Sequence, residues 1–125
     1  MLEKLEVLDI SDCDIGQENV LKIVEGLKKS KSLRVFWCNY NEADEAESQY
    51  QIFEALFYIP TLKQVEFRGN MVSKKLETAV RAKFEEVGKS IEFKDTMQED
   101  EDDEEDEEED EEASELSERI AGLSL

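Results

Sequence analysis

The feature that most constrains the fold of this 125-residue chain is an internal repeat in its first 94 residues. Three segments share one frame: "LEVLDISDCDI" from Leu5, "LRVFWCNYNEA" from Leu33 and "LKQVEFRGNMV" from Leu62. Within each segment, positions 1, 4, 6 and 11 are apolar and position 9 is Cys or Asn. Repetition at a period of about 20–50 residues indicates stacked units, each of which buries its apolar face only against its neighbours.

The frame matches the leucine-rich repeat pattern LxxLxLxx(N/C)xL, in which a short strand is followed by a turn that Asn or Cys caps. After each frame comes a segment with helical spacing of apolar residues. Ser73 is a candidate N-cap for the third helix, and Gly88 is a candidate stop. The pattern predicts an α/β leucine-rich repeat solenoid of about three strand-helix repeats, with a parallel sheet on the concave face and helices outside. The helical apolar positions are Val20, Ile23, Val24 and Leu27, then Ile52, Phe53 and Leu56, then Leu76, Ala79, Val80 and Phe84.

Three regions follow from this pattern. Residues 1–94 form the repeats, in units starting near residues 5, 33 and 62, with a cap near 89–94 to which Ile91 and Phe93 contribute. Residues 95–113 form an acidic linker that we expect to be disordered, because like charges repel and little apolar surface offsets chain entropy. Residues 114–125 form a short amphipathic motif. Because a complete frame follows Met1 almost directly, we expect an uncovered apolar end there, as in the carboxy-terminal piece of a longer solenoid or in a chain that relies on a partner to cover it.

The net charge of −19 is mainly a property of the linker, in which fourteen acidic residues run without interruption from Glu99 to Glu112. Without that run, 20 acidic residues face 15 basic ones. Nucleic-acid binding is disfavoured, because it depends on neutralising phosphates with Lys and Arg, and basic partners are favoured instead. Only two cysteines are present, with no secretory signal and no apolar run that could span a membrane, which indicates a reducing intracellular compartment.

The sequence contains few of the residue patterns that an enzyme active site needs. The chain has no histidine, so Ser-His and Cys-His nucleophilic pairs are excluded. Its five glycines are scattered and form no phosphate-binding loop, and the acidic run lacks the spaced ligands and glycine of a calcium loop. We therefore predict a binding protein with no catalytic residue, no metal and no cofactor.

The candidate binding surface lies on the strands, where residues between the inward positions point outward. Trp37, the only tryptophan, is placed outward between Asp9 and Glu66 of the neighbouring units. Aromatic and Arg side chains flanked by charges are frequent anchors of protein interfaces. In the alternative interpretation Trp37 lies flat over Val35 and Val7 as a surface patch. The predicted partner-binding residues are Asp9, Trp37, Asn39, Glu66 and Arg68.

The 28 to 29 residue period, the strand "LEVLDISDCDI", the unit "LKQVEFRGNMVS" with its charged helix, and the acidic tail together resemble the carboxy-terminal part of a Ran GTPase-activating protein. The resemblance implies a crescent that binds the small GTPase Ran and stimulates its GTP hydrolysis, without metal or cofactor. It implies residence in the cytoplasm, including the cytoplasmic face of the nuclear envelope. The activating arginine of that family belongs to amino-terminal repeats that are not matched here, so no catalytic residue is transferred and activation by this chain alone is not implied.

The final residues "ELSERIAGLSL" resemble a leucine-rich nuclear export signal, whose apolar side chains enter the groove of an exportin. The candidate anchors are Leu116, Ile120, Leu123 and Leu125. A Ran GTPase activator must stay out of the nucleus, which agrees with an export signal at the end of a long charged spacer. The alternative is a helix that docks back on the repeats.

Two further functional interpretations remain. The acidic leucine-rich nuclear phosphoproteins also join repeats to an acidic tail, but their repeats of roughly 23 to 25 residues are shorter than the 28 and 29 found here. A generic scaffold whose acidic tail binds basic proteins is the third possibility.

Overall fold

The computed structural model describes residues 4–93 and 111–124. Within those residues, four strands and four helices alternate until the last helix, which follows the acidic segment. The α/β class is therefore confirmed. The elements are β1 (Val7–Asp9), α1 (Gly16–Leu27), β2 (Val35–Trp37), α2 (Ala46–Phe57), β3 (Gln64–Glu66), α3 (Lys74–Glu86), β4 (Ser90–Glu92) and α4 (Glu111–Ala121).

The strands form one parallel sheet in the order β1-β2-β3-β4. Val7 pairs with Val35 and Val35 pairs with Gln64, so the register reproduces the sequence offsets of 28 and 29 residues. The segment expected to act as a cap forms β4, in which Ile91 pairs with Val65. The cap is thus a fourth parallel strand that continues the sheet.

Alternation along these short strands divides the sheet into two faces. Phe36, Val65 and Ile91 point to the helices and are buried, whereas Leu8 on the edge strand β1 is only partly buried. Phe53 of α2 fills the space beneath the sheet, with its ring centroid 5.0 Å from that of Phe67. We call the other face the open sheet face; its side chains are those of Val7, Asp9, Val35, Trp37, Gln64, Glu66, Ser90 and Glu92.

Helix α3 begins and ends as the sequence predicts. The Ser73 side chain accepts a hydrogen bond from the amide of Leu76, as an N-cap does. Gly88 follows the helix with φ of +81°, and the next amide, that of Lys89, donates to the carbonyl of Phe84. This is a Schellman ending, in which glycine is favoured because it adopts positive φ without steric cost.

Helix α4 lies against α3 and α2 and forms an additional layer on the side of the helices. It begins at Glu111, within the last three residues of the expected linker. The expected disorder of residues 95–110 lies outside the described residues.

Candidate protein-binding surface

The open sheet face and the strand ends beside it bring the predicted partner-binding residues together in two adjacent rows. In the first row, Asp9, Trp37 and Glu66 occupy one register position across β1, β2 and β3, and Glu92 continues the row on β4. Trp37 is half-buried between two carboxylate-bearing neighbours. The sequence-based expectation that Trp37 would lie outward, beside Asp9 and Glu66, therefore agrees with the strand register.

The second row follows the ends of the strands and is held by hydrogen bonds from unit to unit. The amide of Asn39 donates to the Ser11 hydroxyl over 2.9 Å, and the amide of Arg68 donates to the Asn39 side-chain oxygen over 2.7 Å. The Asn39 side-chain nitrogen in turn donates to Glu66 over 3.1 Å. Both hydrogen-bonding ends of the Asn39 amide group are used, so this side chain is held rigidly between the two rows.

Arg68 and Glu66 form an ion pair, with Nη1 of Arg68 3.6 Å from Oε1 of Glu66. Both side chains are largely shielded, at 26% and 17% exposure. Two donors nearby, Nε1 of Trp37 and Nε of Arg68, are buried and have no acceptor among the residues that the structure describes. A buried donor without an acceptor costs free energy, on the order of 1–3 kcal/mol. The candidate surface therefore contains hydrogen-bonding capacity that the described part of the chain leaves unused.

Two asparagines fix the turns beside this surface. The side-chain oxygen of Asn41 accepts from the amides of Cys13 and Asp14, each over 3.0 Å. The corresponding oxygen of Asn70 accepts from the amides of Asn41 and Ala43, over 3.0 and 3.1 Å. Each asparagine thus caps the turn of the preceding unit, which confirms the turn-capping role inferred for Asn at position 9 of the frame. Among the described residues, the thiol of Cys13 at the same position donates only to the carbonyl of Ser11, over 3.5 Å.

The same turns adopt positive φ at matching positions. The residues concerned are Asp12, Tyr40 and Gly69 at one position and Asp14, Glu42 and Met71 two residues later. These angles lie in the left-handed region, which L side chains rarely adopt. Their recurrence at the repeat period indicates that the turn geometry, and not any single residue type, is what the units share.

Tyr40 and Met71 were not among the residues selected from the sequence, yet both are exposed on the rim formed by these turns. The Tyr40 ring lies over Gly69, where an added Cβ would overlap the ring. Gly69 therefore has two reasons to be glycine, its positive φ and this close approach. The sequence does contain an indication of this exposure. Tyr40 and Met71 are large apolar residues at turn positions of the frame, and none of the inward positions of the frame falls there.

The candidate export residues lie on the opposite side of the molecule. Leu116 and Ile120 on α4, and Leu123 just after it, are buried in the same apolar cluster as the residues of α2 and α3. Leu125 lies outside the described residues. The segment is thus found docked on the helices.

The lysines on α3 and the lysine that follows it make hydrogen bonds with different parts of the chain. Lys83 donates to the carbonyl of Leu123 over 3.0 Å, and Lys75 donates to the Ser114 hydroxyl over 3.2 Å. Lys89 is instead buried, and its ammonium donates to the carbonyls of Ile59 and Leu62 over 2.8 and 3.1 Å. Burial, followed by the charge of Lys63, lowers the pKa of Lys89. Lys89 therefore stabilises the loop before β3.

The two cysteines are both free and lie in contrasting environments. Cys13 is exposed, whereas Cys38, directly after β2, is buried. This burial raises the pKa of the Cys38 thiol to about 11. A thiol with so high a pKa is a poor nucleophile at neutral pH. Among the described residues, no group of three or more His, Cys, Asp or Glu side chains could hold a metal ion, and no helix has the length and apolarity to cross a membrane.

Comparison of the chain with protein-family models, with curated proteins and with solved structures finds no significant match. Support for a function therefore comes from the chain's own residues and from the resemblance of its repeats and acidic tail.

Proposed function

We propose that residues 4–93 are stacked leucine-rich repeats and that the open sheet face is the concave, partner-binding side of a short solenoid. The repeat assignment is supported by the strand register of 28 and 29 residues and by the asparagine caps that connect successive turns. Positive φ at matching turn positions supports it independently. On this basis β4 is the strand of a final, shortened unit.

The observation that carries a protein-binding function is the pair of unsatisfied donors, Nε1 of Trp37 and Nε of Arg68. A partner that supplies a carboxylate or a main-chain carbonyl near the Arg68–Glu66 pair would provide the missing acceptor after a small rotation of either side chain. Trp and Arg are also the residue types most enriched at energetic centres of interfaces. Asp9, Glu66 and Asn39 complete a polar rim that suits a partner carrying both charge signs.

The partner that the sequence favours is the small GTPase Ran, with this chain acting as the carboxy-terminal part of its GTPase activator in nucleocytoplasmic transport. The repeat length and the acidic run after the last unit support this assignment. The chain would contribute binding and not chemistry, since no residue here matches the activating arginine. Under this proposal the protein acts in the cytoplasm, including the cytoplasmic face of the nuclear envelope, and an exportin reads its final residues.

A second candidate is favoured by one observation, the fourteen consecutive acidic residues from Glu99 to Glu112. Such a run attracts basic proteins in a salt-dependent manner. A scaffold for basic proteins would use this run and would not depend on Trp37 or Arg68.

The test is calorimetric titration of the full chain with GTP-loaded Ran and, separately, with core histones as basic probes. Trp37→Ala and Arg68→Glu are each expected to weaken binding to Ran by at least fivefold, equivalent to ~1 kcal/mol. Arg34→Glu is the matched control, because Arg34 is a strand-flanking arginine that pairs with Glu6 but is 60% exposed. Equal affinity of all three variants for Ran would refute the assigned surface. Histone binding that Trp37→Ala leaves unchanged, with no binding to Ran, would favour the scaffold.

A further inference from the structure

The apolar face of α4 is used entirely against the body of the protein. Ala113, Leu116 and Ile120 on the helix are 1%, 2% and 0% exposed, and Leu123 just beyond it is 9% exposed. Leu116, Ile120 and Leu123 are spaced i, i+4 and i+7, which places them on one side of a helix. Glu112, Glu115 and Glu118 lie on the exposed side. One helix therefore offers a single apolar surface, and α2 and α3 occupy it.

Polar contacts complete the docking at both ends of the segment. At the end near Leu123, the Tyr58 hydroxyl donates to the carbonyl of Ser124 over 3.1 Å, beside the Lys83 bond already described. In the middle, the guanidinium of Arg119 lies over the Tyr50 ring at 4.5 Å. At the start, Lys75 meets Ser114. All of these contacts use flexible side chains on at least one side, and no strand pairing holds the segment.

We propose that the apolar face of α4 is an interaction surface shared between α2–α3 and a partner with an apolar groove that accepts an amphipathic helix, so that docking and partner binding exclude each other. The same three side chains cannot be buried in both places. The apparent affinity for the partner is then reduced by the fraction of molecules in which α4 is released. This inference builds on the proposed export function and adds its regulation.

The contrast in attachment explains why α4 can open while the rest stays folded. The four strands are connected by main-chain hydrogen bonds and by the Asn41 and Asn70 caps, whereas α4 is attached through one apolar stripe and the side-chain contacts above. Among the described residues no hydrogen bond between main-chain groups joins α4 to the sheet or to the other helices, so its release leaves the strand pairing and the asparagine caps intact and it can open separately from the core. Lys75 on α3 contacts Ser114 near the start of α4, where Glu111 and Glu112 also lie, so salt is expected to screen the attraction and to promote opening.

A thiol-labelling experiment tests opening without any receptor. In the full chain with Cys13→Ser, an additional Ala113→Cys substitution places a thiol on the docked side of α4, and Cys38 in the core is the internal reference. We expect the thiol at position 113 to react at least tenfold faster than Cys38, to react faster still at high salt, and to do so independently of protein concentration. Equal rates for the two thiols would mean that α4 opens only with global unfolding and would overturn the proposal. A rate that falls with protein concentration would also overturn it, because a second copy would then hold the helix.

A binding experiment tests mutual exclusion, with an exportin in the presence of GTP-loaded Ran as the probe and with Trp37→Ala in every full-length chain, so that the proposed Ran-binding face does not add to the measured affinity. We expect a synthetic peptide of residues 111–125 to bind at least tenfold more tightly than the full chain. The double variant Tyr58→Phe, Arg119→Ala should recover most of that difference, since it removes docking contacts and leaves every apolar anchor in place. A chain with Cys13→Ser, Lys75→Cys and Ser114→Cys, cross-linked by a short bismaleimide, should lose binding, and the same chain before cross-linking is its control.

The two proposals fail differently in these measurements. Equal affinity of the peptide, the full chain and the cross-linked chain would refute mutual exclusion while supporting export. A peptide that does not bind the exportin would refute the export function, and the labelling rates would still decide whether α4 opens independently of the core.

Discussion

The two sides of the molecule differ in which side chains they cover: in the part of the chain that the structure describes, polar groups are left without partners at the open sheet face, and apolar side chains are covered on the helical side. The open sheet face carries acidic side chains on three of its four strands, and Trp37 on this face and Arg68 beside it each hold a buried donor with no acceptor among the described residues. The helical side is apolar, and α4 covers part of it with Leu116, Ile120 and Leu123. The chain thus covers apolar surface with its own last helix and leaves hydrogen-bonding capacity on the face that we propose for partner binding.

The largest difference between the two sides is expected in the free energy of unfolding, when a buried ring on the helical side and a side chain on the open sheet face are each truncated to alanine. Phe53→Ala removes a fully buried ring that makes edge contacts with Phe67 at 5.0 Å and Phe93 at 5.7 Å. We expect the free energy of unfolding to fall by about 3–5 kcal/mol, the range for such a cavity. Val7→Ala, at a residue that is 50% exposed on the open sheet face, should change it by less than about 0.5 kcal/mol.

Urea denaturation followed by circular dichroism measures both changes. If Phe53→Ala does not fold, Phe53→Leu should give a smaller loss that can still be measured. Comparable losses for Phe53→Leu and Val7→Ala would show that the sheet is not packed on one side only.

A smaller effect is expected at the turns between the two sides. Asn70→Ala removes the acceptor for the amides of Asn41 and Ala43 and the donor to the Cys38 carbonyl. Leaving these buried groups unsatisfied should cost about 2–3 kcal/mol. Hydrogen exchange should also accelerate at the amides of Asn41 and Ala43 specifically.

The matched control for this variant is Asn19→Ala, since the Asn19 side chain donates to the carbonyl of Ile15 on an exposed stretch of α1. It should cost no more than about 0.5 kcal/mol. Unchanged exchange at Asn41 and Ala43 in Asn70→Ala would contradict the capping role.

The smallest effect is a pH dependence of the free energy of unfolding, caused by the buried thiol of Cys38 after β2. Burial raises the pKa of Cys38 from 9.0 to about 11, so between these values the folded chain holds a proton that the unfolded chain releases. The stability that this thiol contributes is fully present below pH 9 and is lost as pH rises through 11, by about 2 kcal/mol between pH 8 and pH 11. Burial raises the pKa of Tyr50 and acts in the same direction, whereas the lowered pKa of Lys89 acts in the opposite one.

The measurement is the free energy of unfolding from pH 8 to pH 11 for the chain and for Cys38→Ala. The variant should start lower, because it leaves a small cavity, but should lose about 2 kcal/mol less over this range. Parallel curves for the two proteins would show that Cys38 titrates at its ordinary pKa in the folded state.

The sequence alone determined the parts of the molecule in which each unit repeats the same local chemistry. The inward positions Phe36, Val65 and Phe67, the capping residue Asn41 and the N-cap Ser73 could all be assigned, because alternation, turn capping and helix initiation depend on residues only a few positions apart. The register followed as well, since the offsets of 28 and 29 residues leave one way to align neighbouring strands.

Only the tertiary structure decided where the carboxy-terminal segment lies and which polar groups are buried. The spacing of Leu116, Ile120 and Leu123 is compatible with a free motif or a docked helix. The choice depends on surfaces of α3 and α2 that are distant in sequence, by 40 residues in the Lys83–Leu123 contact and by 66 in the Tyr58–Ser124 contact. The burial of Lys89 and the unsatisfied donors of Trp37 and Arg68 likewise arise from neighbours in other units. Periodic patterns encode contacts that recur in every unit, whereas a contact made once between distant segments leaves no period in the sequence, so only the assembled fold reveals it.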